Sequence, residues 1–181
     1  KSGQSPTGFS FSPVSSSSAV WNFEWSINSD YDGSSGFVLD DLTYVLSIDF
    51  DPSSGTNFLS FDPINDTDAD GNDHAIGTNA TPNGGGTSAT TLAQYLTLIS
   101  TNNVAQNSWN MQFFDGGSFP FNANQNGTYE IVLTAFSGEV EVASTAITIN
   151  AVPEPSSLAL LGLGTLGIAG CGWRRKRRAA A

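Results

Sequence analysis

Between residues 20 and 150 apolar and polar side chains alternate in short runs, and a helical spacing occurs once. In residues 20–27, Trp21, Phe23, Trp25 and Ile27 hold one parity, and Asn22, Glu24 and Ser26 hold the other. That period of two predicts a half-buried strand with three aromatic rings inward. Residues 42–50 repeat it, with Tyr44, Leu46, Ile48 and Phe50 inward and Thr43, Val45, Ser47 and Asp49 outward. A third run sets Tyr129, Ile131, Leu133 and Ala135 against Glu130, Val132 and Thr134, and the Ser137-Gly138 turn then leads into residues 139–150 as a hairpin. In that last strand Val140 and Val142 share one parity while Ile147 and Ile149 share the other. A β-bulge between Ala143 and Ala146 would reconcile them by inserting one residue. Shorter strands are expected at residues 37–39, 58–61 and 109–114, with one edge strand around Phe9-Ser10-Phe11.

The exception is residues 91–100, where Leu92, Tyr95, Leu96 and Ile99 fall at i, i+3, i+4 and i+7, the apolar face of one short helix. Asn102, Asn103 and Asn107 are expected to end it. Residues 62–86 form a long stretch with hardly an apolar side chain, and a loop of that length inside a domain is usually functional, ion-ordered or disordered. Short strands divided by turns such as Asp-Tyr-Asp-Gly-Ser-Ser-Gly (residues 30–36) predict an all-β domain, an antiparallel β-sandwich of Ig-like or jelly-roll kind. The organisation read from the chain is a flexible N-terminal segment (1–18), the sandwich (19–150), a proline-rich linker (151–157), a transmembrane helix (158–173) and a basic tail (174–181).

Charge sharpens that division. All 17 acidic residues precede Ser156 and only Lys1 opposes them, which leaves the body at −16, and the five basic residues of the tail bring the chain to −11. Nucleic acid is therefore excluded as a partner of the body, because phosphate contacts need clustered Lys and Arg. Such a body suits a cation-rich extracellular setting. The single cysteine, Cys171, lies in the apolar run, so the body has no disulfide and no thiol chemistry. Ile168-Ala169-Gly170-Cys171 looks faintly like a lipoprotein box, but Cys171 is read as a small apolar filler. A signal peptide is expected to have been removed or to lie outside these residues.

The C-terminus sets three blocks in order: Pro153-Glu154-Pro155, an uncharged run from Leu158 to Trp173, and Arg174-Arg175-Lys176-Arg177-Arg178. The prolines lack amide donors and fix φ, so the β domain cannot run on through them. The apolar run would cover about 24 Å as a helix, slightly under the roughly 30 Å of bilayer hydrocarbon. Basic residues directly after it predict the tail in the cytoplasm and the body outside. These blocks together resemble the PEP-CTERM sorting signal of Gram-negative bacteria. The resemblance implies an exported protein that passes through an inner-membrane intermediate. It is then handed to an exosortase, a membrane-embedded cysteine transpeptidase that cuts near Pro-Glu-Pro, for release or attachment at the cell surface, commonly among exopolysaccharide producers.

Within the body, Asp66, Asp68 and Asp70 alternate ahead of Gly71, with Asp73 following, which matches the opening of a calcium loop. Position 12 is Gly77, where an EF-hand requires its bidentate Glu, so a weaker calcium site completed by Asp62 or Asp73 is expected. His74, the lone histidine, is expected to be exposed. Asp49 with Asp51, and Glu139 with Glu141, are carboxylate pairs of the type glycosidases use, but on an antiparallel sheet they read as a wet face. Asn65-Asp66-Thr67, Asn79-Ala80-Thr81 and Asn126-Gly127-Thr128 are glycosylation-type triplets. The leading reading is a non-enzymatic surface or matrix protein with a structural or adhesive body. Its partners would be the exosortase, the membrane, and exopolysaccharide or other surface proteins. A carbohydrate-binding module is the alternative, drawing on Trp21, Trp25, Trp109 and the Tyr residues as rings, although Trp21 and Trp25 alternate with polar residues as core positions do, and a secreted hydrolase is the third.

Overall fold

The strict alternation after Trp21 becomes β2 (Phe23–Asn28), in which buried and exposed residues alternate along the whole strand. The computed structural model describes residues 7–13, 17–66 and 73–152. The strands β1 (Thr7–Phe11), β8 (Val140–Ala151), β7 (Gly127–Ser137), β3 (Thr43–Asp49) and β4 (Phe58–Phe61) form one sheet in that spatial order. A second sheet orders β2, β6 (Val104–Trp109) and β5 (Ala75–Gly77). All pairings are antiparallel except β1 with β8. The inner faces of both sheets, with Tyr95 and Ile99 of helix α1 (Leu92–Ile99), feed one hydrophobic core. The architecture is thus mostly β, consistent with a β-sandwich. The stretch expected to cross a membrane, Leu158 to Trp173, lies outside the described residues. Among the described residues no helix is long and apolar enough to cross a bilayer.

Long alternating strands form where the pattern put them. Tyr44, Leu46, Ile48 and Phe50 are buried from β3. Asp49, expected outward, is buried, because its carboxylate turns back to accept from the amides of Asp51 (2.9 Å) and Asn57 (2.8 Å). The bulge in the β7–β8 hairpin is real but stands nearer the turn than expected. Ala135 pairs with Ala143 and Phe136 with Glu141, so Val142 is the extra residue. Gly138 closes the hairpin at φ 61°, a left-handed conformation that glycine adopts without strain.

Shorter elements depart further from expectation. Residues 37–39 do not form a strand; Leu39–Asp41 is a 3-10 turn, started by the Asp41 carboxylate accepting from Val38 N (2.9 Å), and it drives Leu39 fully into the core. The strand expected over residues 109–114 instead ends at Trp109. Asn107 therefore sits within β6 and does not terminate the helix. Asn110 stops β6 by bonding across the chain, its Nδ2 donating to Ala19 O (3.0 Å) and Trp21 O (2.9 Å), and Met111–Phe114 follows as a second 3-10 turn. The stretch 62–86 is no bare loop. Ile64 and Ile76 anchor it in the core, and β5 pairs with β6. Helix α1 is capped by Thr91 Oγ1 accepting from Gln94 N (3.2 Å) and buries a narrower stripe than its spacing suggests, since Leu92 and Leu96 are exposed.

At the other end of the chain order, β1 lies parallel to the last strand with Phe11 opposite Ala151, and Val152 N donates to Phe11 O at 2.8 Å. The fold is therefore pinned up to the residue before Pro153.

Trp25 is 7 % exposed and packs against Trp109 (centroids 5.2 Å apart) and His74 (4.9 Å). Trp25→Ala should cost about 3–5 kcal/mol in denaturant unfolding, the range for emptying an aromatic core site. A loss below about 1 kcal/mol would contradict its packing role.

Candidate functional site

Of the four aspartates with calcium-loop spacing, Asp66 and Asp73 are described and both are exposed, whereas Asp68 and Asp70 lie outside the described residues. Asp62, expected as the alternative to Asp73 for completing the site, is committed elsewhere. Its Oδ1 accepts from the amides of Ile64 and Asn65 (both 2.9 Å), and its Oδ2 accepts from Tyr44 N (2.9 Å) and Asn65 Nδ2 (2.9 Å). That carboxylate holds the turn that carries Ile64 inward. Among the described residues no three or more His, Cys, Asp or Glu side chains gather in a metal-holding group.

His74 corrects the expectation of an exposed ring, since it is fully buried. Its Nε2 lies 2.6 Å from Pro63 O and its Nδ1 lies 2.8 Å from Asn107 Nδ2. A carbonyl can only accept, so Nε2 carries the proton and Nδ1 accepts from the amide. Asn107 also donates to Asp73 Oδ1 (2.9 Å). Trp25, Tyr95 and Trp109 surround the ring. Burial pushes the imidazole below its ordinary pKa of 6.5, against weaker opposition from the Pro63 bond and the Asp73 charge. The histidine is a neutral bridge that ties Pro63 to Asn107 of β6. Tyr95 reinforces it by donating to Ile64 O (2.7 Å), and burial, aided by the Asp62 charge, raises its phenol pKa so that it stays protonated.

The carboxylate pairs serve turns and edges. Asp49 and Asp51 close the connection after β3, with Asp51 accepting from Ser53 N (2.8 Å), while Glu139 and Glu141 stand exposed at the hairpin tip. Trp21 and Trp25 are buried and form no open platform. Trp109 is half-buried beneath Phe61 and Phe114.

A cleft of about 510 Å³ with an apolar floor opens at the end of the sandwich where β2 and β7 finish and β8 begins. Its floor includes Ile27, Tyr44 and Leu133, its rim includes Asp30 and Asp32, and Tyr31 stands at the mouth with 83 % of its surface exposed. Sequence reasoning passed over this place because residues 30–36 read only as turn chemistry. An aromatic residue set between two turn aspartates was the available signal.

The linear motif proves more informative than any clustered site. Residues 151–177 match the PEP-CTERM protein-sorting motif, and the body ahead of them is unassigned. No curated protein matches the chain. No solved structure matches it either. Pro153, Glu154, Pro155 and the basic residues Arg174, Arg175, Lys176, Arg177 and Arg178 lie outside the described residues.

The buried histidine sets a pH dependence. As pH falls past 6.5 the unfolded chain takes up a proton that the folded imidazole, with its lowered pKa, does not yet accept. The unfolded state then binds more protons, so stability falls with falling pH. The melting temperature should hold above about pH 7 and decline as pH drops from about 6.5 toward 5. His74→Gln, which keeps an N–H for the Pro63 carbonyl, should flatten that decline. An unchanged slope would place its source elsewhere.

Proposed function

We propose that the chain is an exported precursor whose C-terminal segment is a sorting and anchoring signal, processed by an exosortase to leave the β body at the cell surface or in the extracellular matrix. The observation that carries this reading is the sorting-motif match over residues 151–177. The order of blocks supports it: a proline-locked break, an apolar run and a polybasic stop. So does the clamp of Val152 onto Phe11, because the described fold runs to residue 152 and a cut within Pro-Glu-Pro falls beyond that clamp. The route runs through an inner-membrane intermediate held by residues 158–173. The body, an antiparallel β-sandwich, acts as a structural or adhesive element and not as an enzyme, with surface proteins or exopolysaccharide as its partners.

In the same reading the loop of Asp66, Asp68, Asp70 and Asp73 takes calcium from the medium. Close carboxylates repel one another, no basic side chain stands near in sequence to offset them, and a divalent cation relieves the repulsion. Without a Glu at Gly77 the affinity is weak, roughly 10⁻⁴–10⁻³ M.

Two measurements test this. Intact mass of surface-extracted protein should show a C-terminus near residues 153–157, and a species retaining Arg174 through Arg178 would overturn the processing. For the loop, calcium at about one hundred times Kd should add about 2.7 kcal/mol of stability, and the accompanying rise in melting temperature should vanish when Asp68→Ala and Asp70→Ala are combined. Calorimetry showing neither heat nor a melting shift would leave the loop as a solvated acidic surface.

A further inference from the structure

The cleft at the end of β2 is built as a binding site and not as a gap left by packing. Its size falls within the 300–1,000 Å³ of small-ligand pockets, and its walls come from both sheets: Ile27 on one side, Leu133 and Val142 on the other. The rim is rigid. Asp30 Oδ1 accepts from Ser35 N (2.9 Å) and Ser35 Oγ (2.8 Å), and Asp32 Oδ1 accepts from Ser34 N (3.0 Å) and Ser34 Oγ (2.6 Å). Asn79 Nδ2 donates to Asp30 O (2.8 Å), which ties the rim to a distant loop. The bonds to the two carboxylates all use Oδ1, so the second oxygen of each remains as an acceptor at the mouth. Between them Tyr31 is held out in solvent, where its ring contributes nothing to the core.

The chemistry of an occupant follows from charge. The described residues contain no Lys or Arg, and two carboxylates flank the mouth, so phosphates, sulfates and uronates are repelled. What fits is a ligand with an apolar face to lie on a phenol ring and hydroxyl donors for carboxylate oxygens. We infer that the cleft between Tyr31 and the ends of β7 and β8 binds a neutral saccharide. Tyr31 stacks on the sugar ring, and Asp30 and Asp32 accept hydrogen bonds from its hydroxyls.

Placement agrees with this use. The cleft touches β8 at Val142 and Ser144, whereas the sorting motif starts at residue 151 of the same strand. Seven residues of extended chain separate Ser144 from Ala151 by about 23 Å. A body held by its C-terminus therefore presents the cleft on its far side. The inference deepens the surface reading and rests on it only for where the sugar is met.

Calorimetric titration of the full chain in detergent micelles tests it, using a panel of neutral glucose, galactose, mannose and N-acetylglucosamine hexamers, with polygalacturonate and oligolysine beside them. At least one neutral oligosaccharide should bind. Tyr31→Ala and Asp32→Asn should each weaken that binding roughly tenfold or more, with the far-UV spectrum unchanged. Phe113→Ala, which removes another exposed ring remote in sequence from the cleft, should leave binding intact. Silence across the neutral panel, binding indifferent to Tyr31→Ala, or a preference for oligolysine would each overturn the inference. Processing is scored separately by the mass of the C-terminus, so a protein correctly trimmed yet unable to bind sugar fails this inference alone.

Discussion

Ring packing between two sheets that share no ladder is the interaction on which the rest of this structure depends. Phe61 of β4 meets Trp109 of β6 with centroids 6.0 Å apart, and Tyr129 of β7 meets Trp21 at 6.4 Å. Trp25, His74 and Phe114 extend the contact behind Trp109. Each such ring buries roughly 150–250 Å². Aliphatic side chains such as Leu46, Ile48, Ile64 and Ile76 complete the same core. The single cysteine lies in the C-terminal segment, and the described residues hold no Lys or Arg with which to form an ion pair. One element of this packing is costly. Among the described residues the buried indole N–H of Trp25 has no hydrogen-bond partner, so its packing must outweigh an unmet donor worth about 1–3 kcal/mol.

A body with so many carboxylates and so few cations must find other use for its acidic residues. Here they act as backbone. Asp30, Asp32, Asp49, Asp51 and Asp62 each accept from main-chain amides within a turn, doing locally what a ladder does in a strand. Bonds from Ser34 and Ser53 lower the pKa of Asp32 and Asp51, which keeps those acceptors ionised. The connections are thereby stiffened by the same residues that make the surface anionic.

This division of labour explains what could be read in advance. Strands β2, β3, β7 and β8 are long enough for alternation to speak, and helix α1 is marked by its spacing. The three-residue strand β5 carries no periodicity, and both 3-10 turns depend on side chains whose partners the pattern does not reveal. Asn110, for example, fixes the entry to β2 from about ninety residues away. His74 looked like a polar residue in an acidic loop because its partners, Pro63 O and Asn107, sit on other segments. The same logic separates the candidate sites. The sorting signal is written in linear order and is legible from residues alone. Only part of the acidic loop is described. The cleft left only one linear trace, Tyr31 between two turn aspartates, since one turn and four strands, β2, β3, β7 and β8, build it.

The parallel pairing of β1 with β8 has a mechanical consequence. Strand β8 lies between β1 and β7, and the Val152–Phe11 bond closes its end. A load applied at residue 152 is directed along β8, so the ladders on both sides are strained together in shear instead of being peeled open bond by bond. Whatever grips this body by its C-terminus grips it through its most resistant strand, and drag from flowing water is spread across the five-stranded sheet before any one bond must yield.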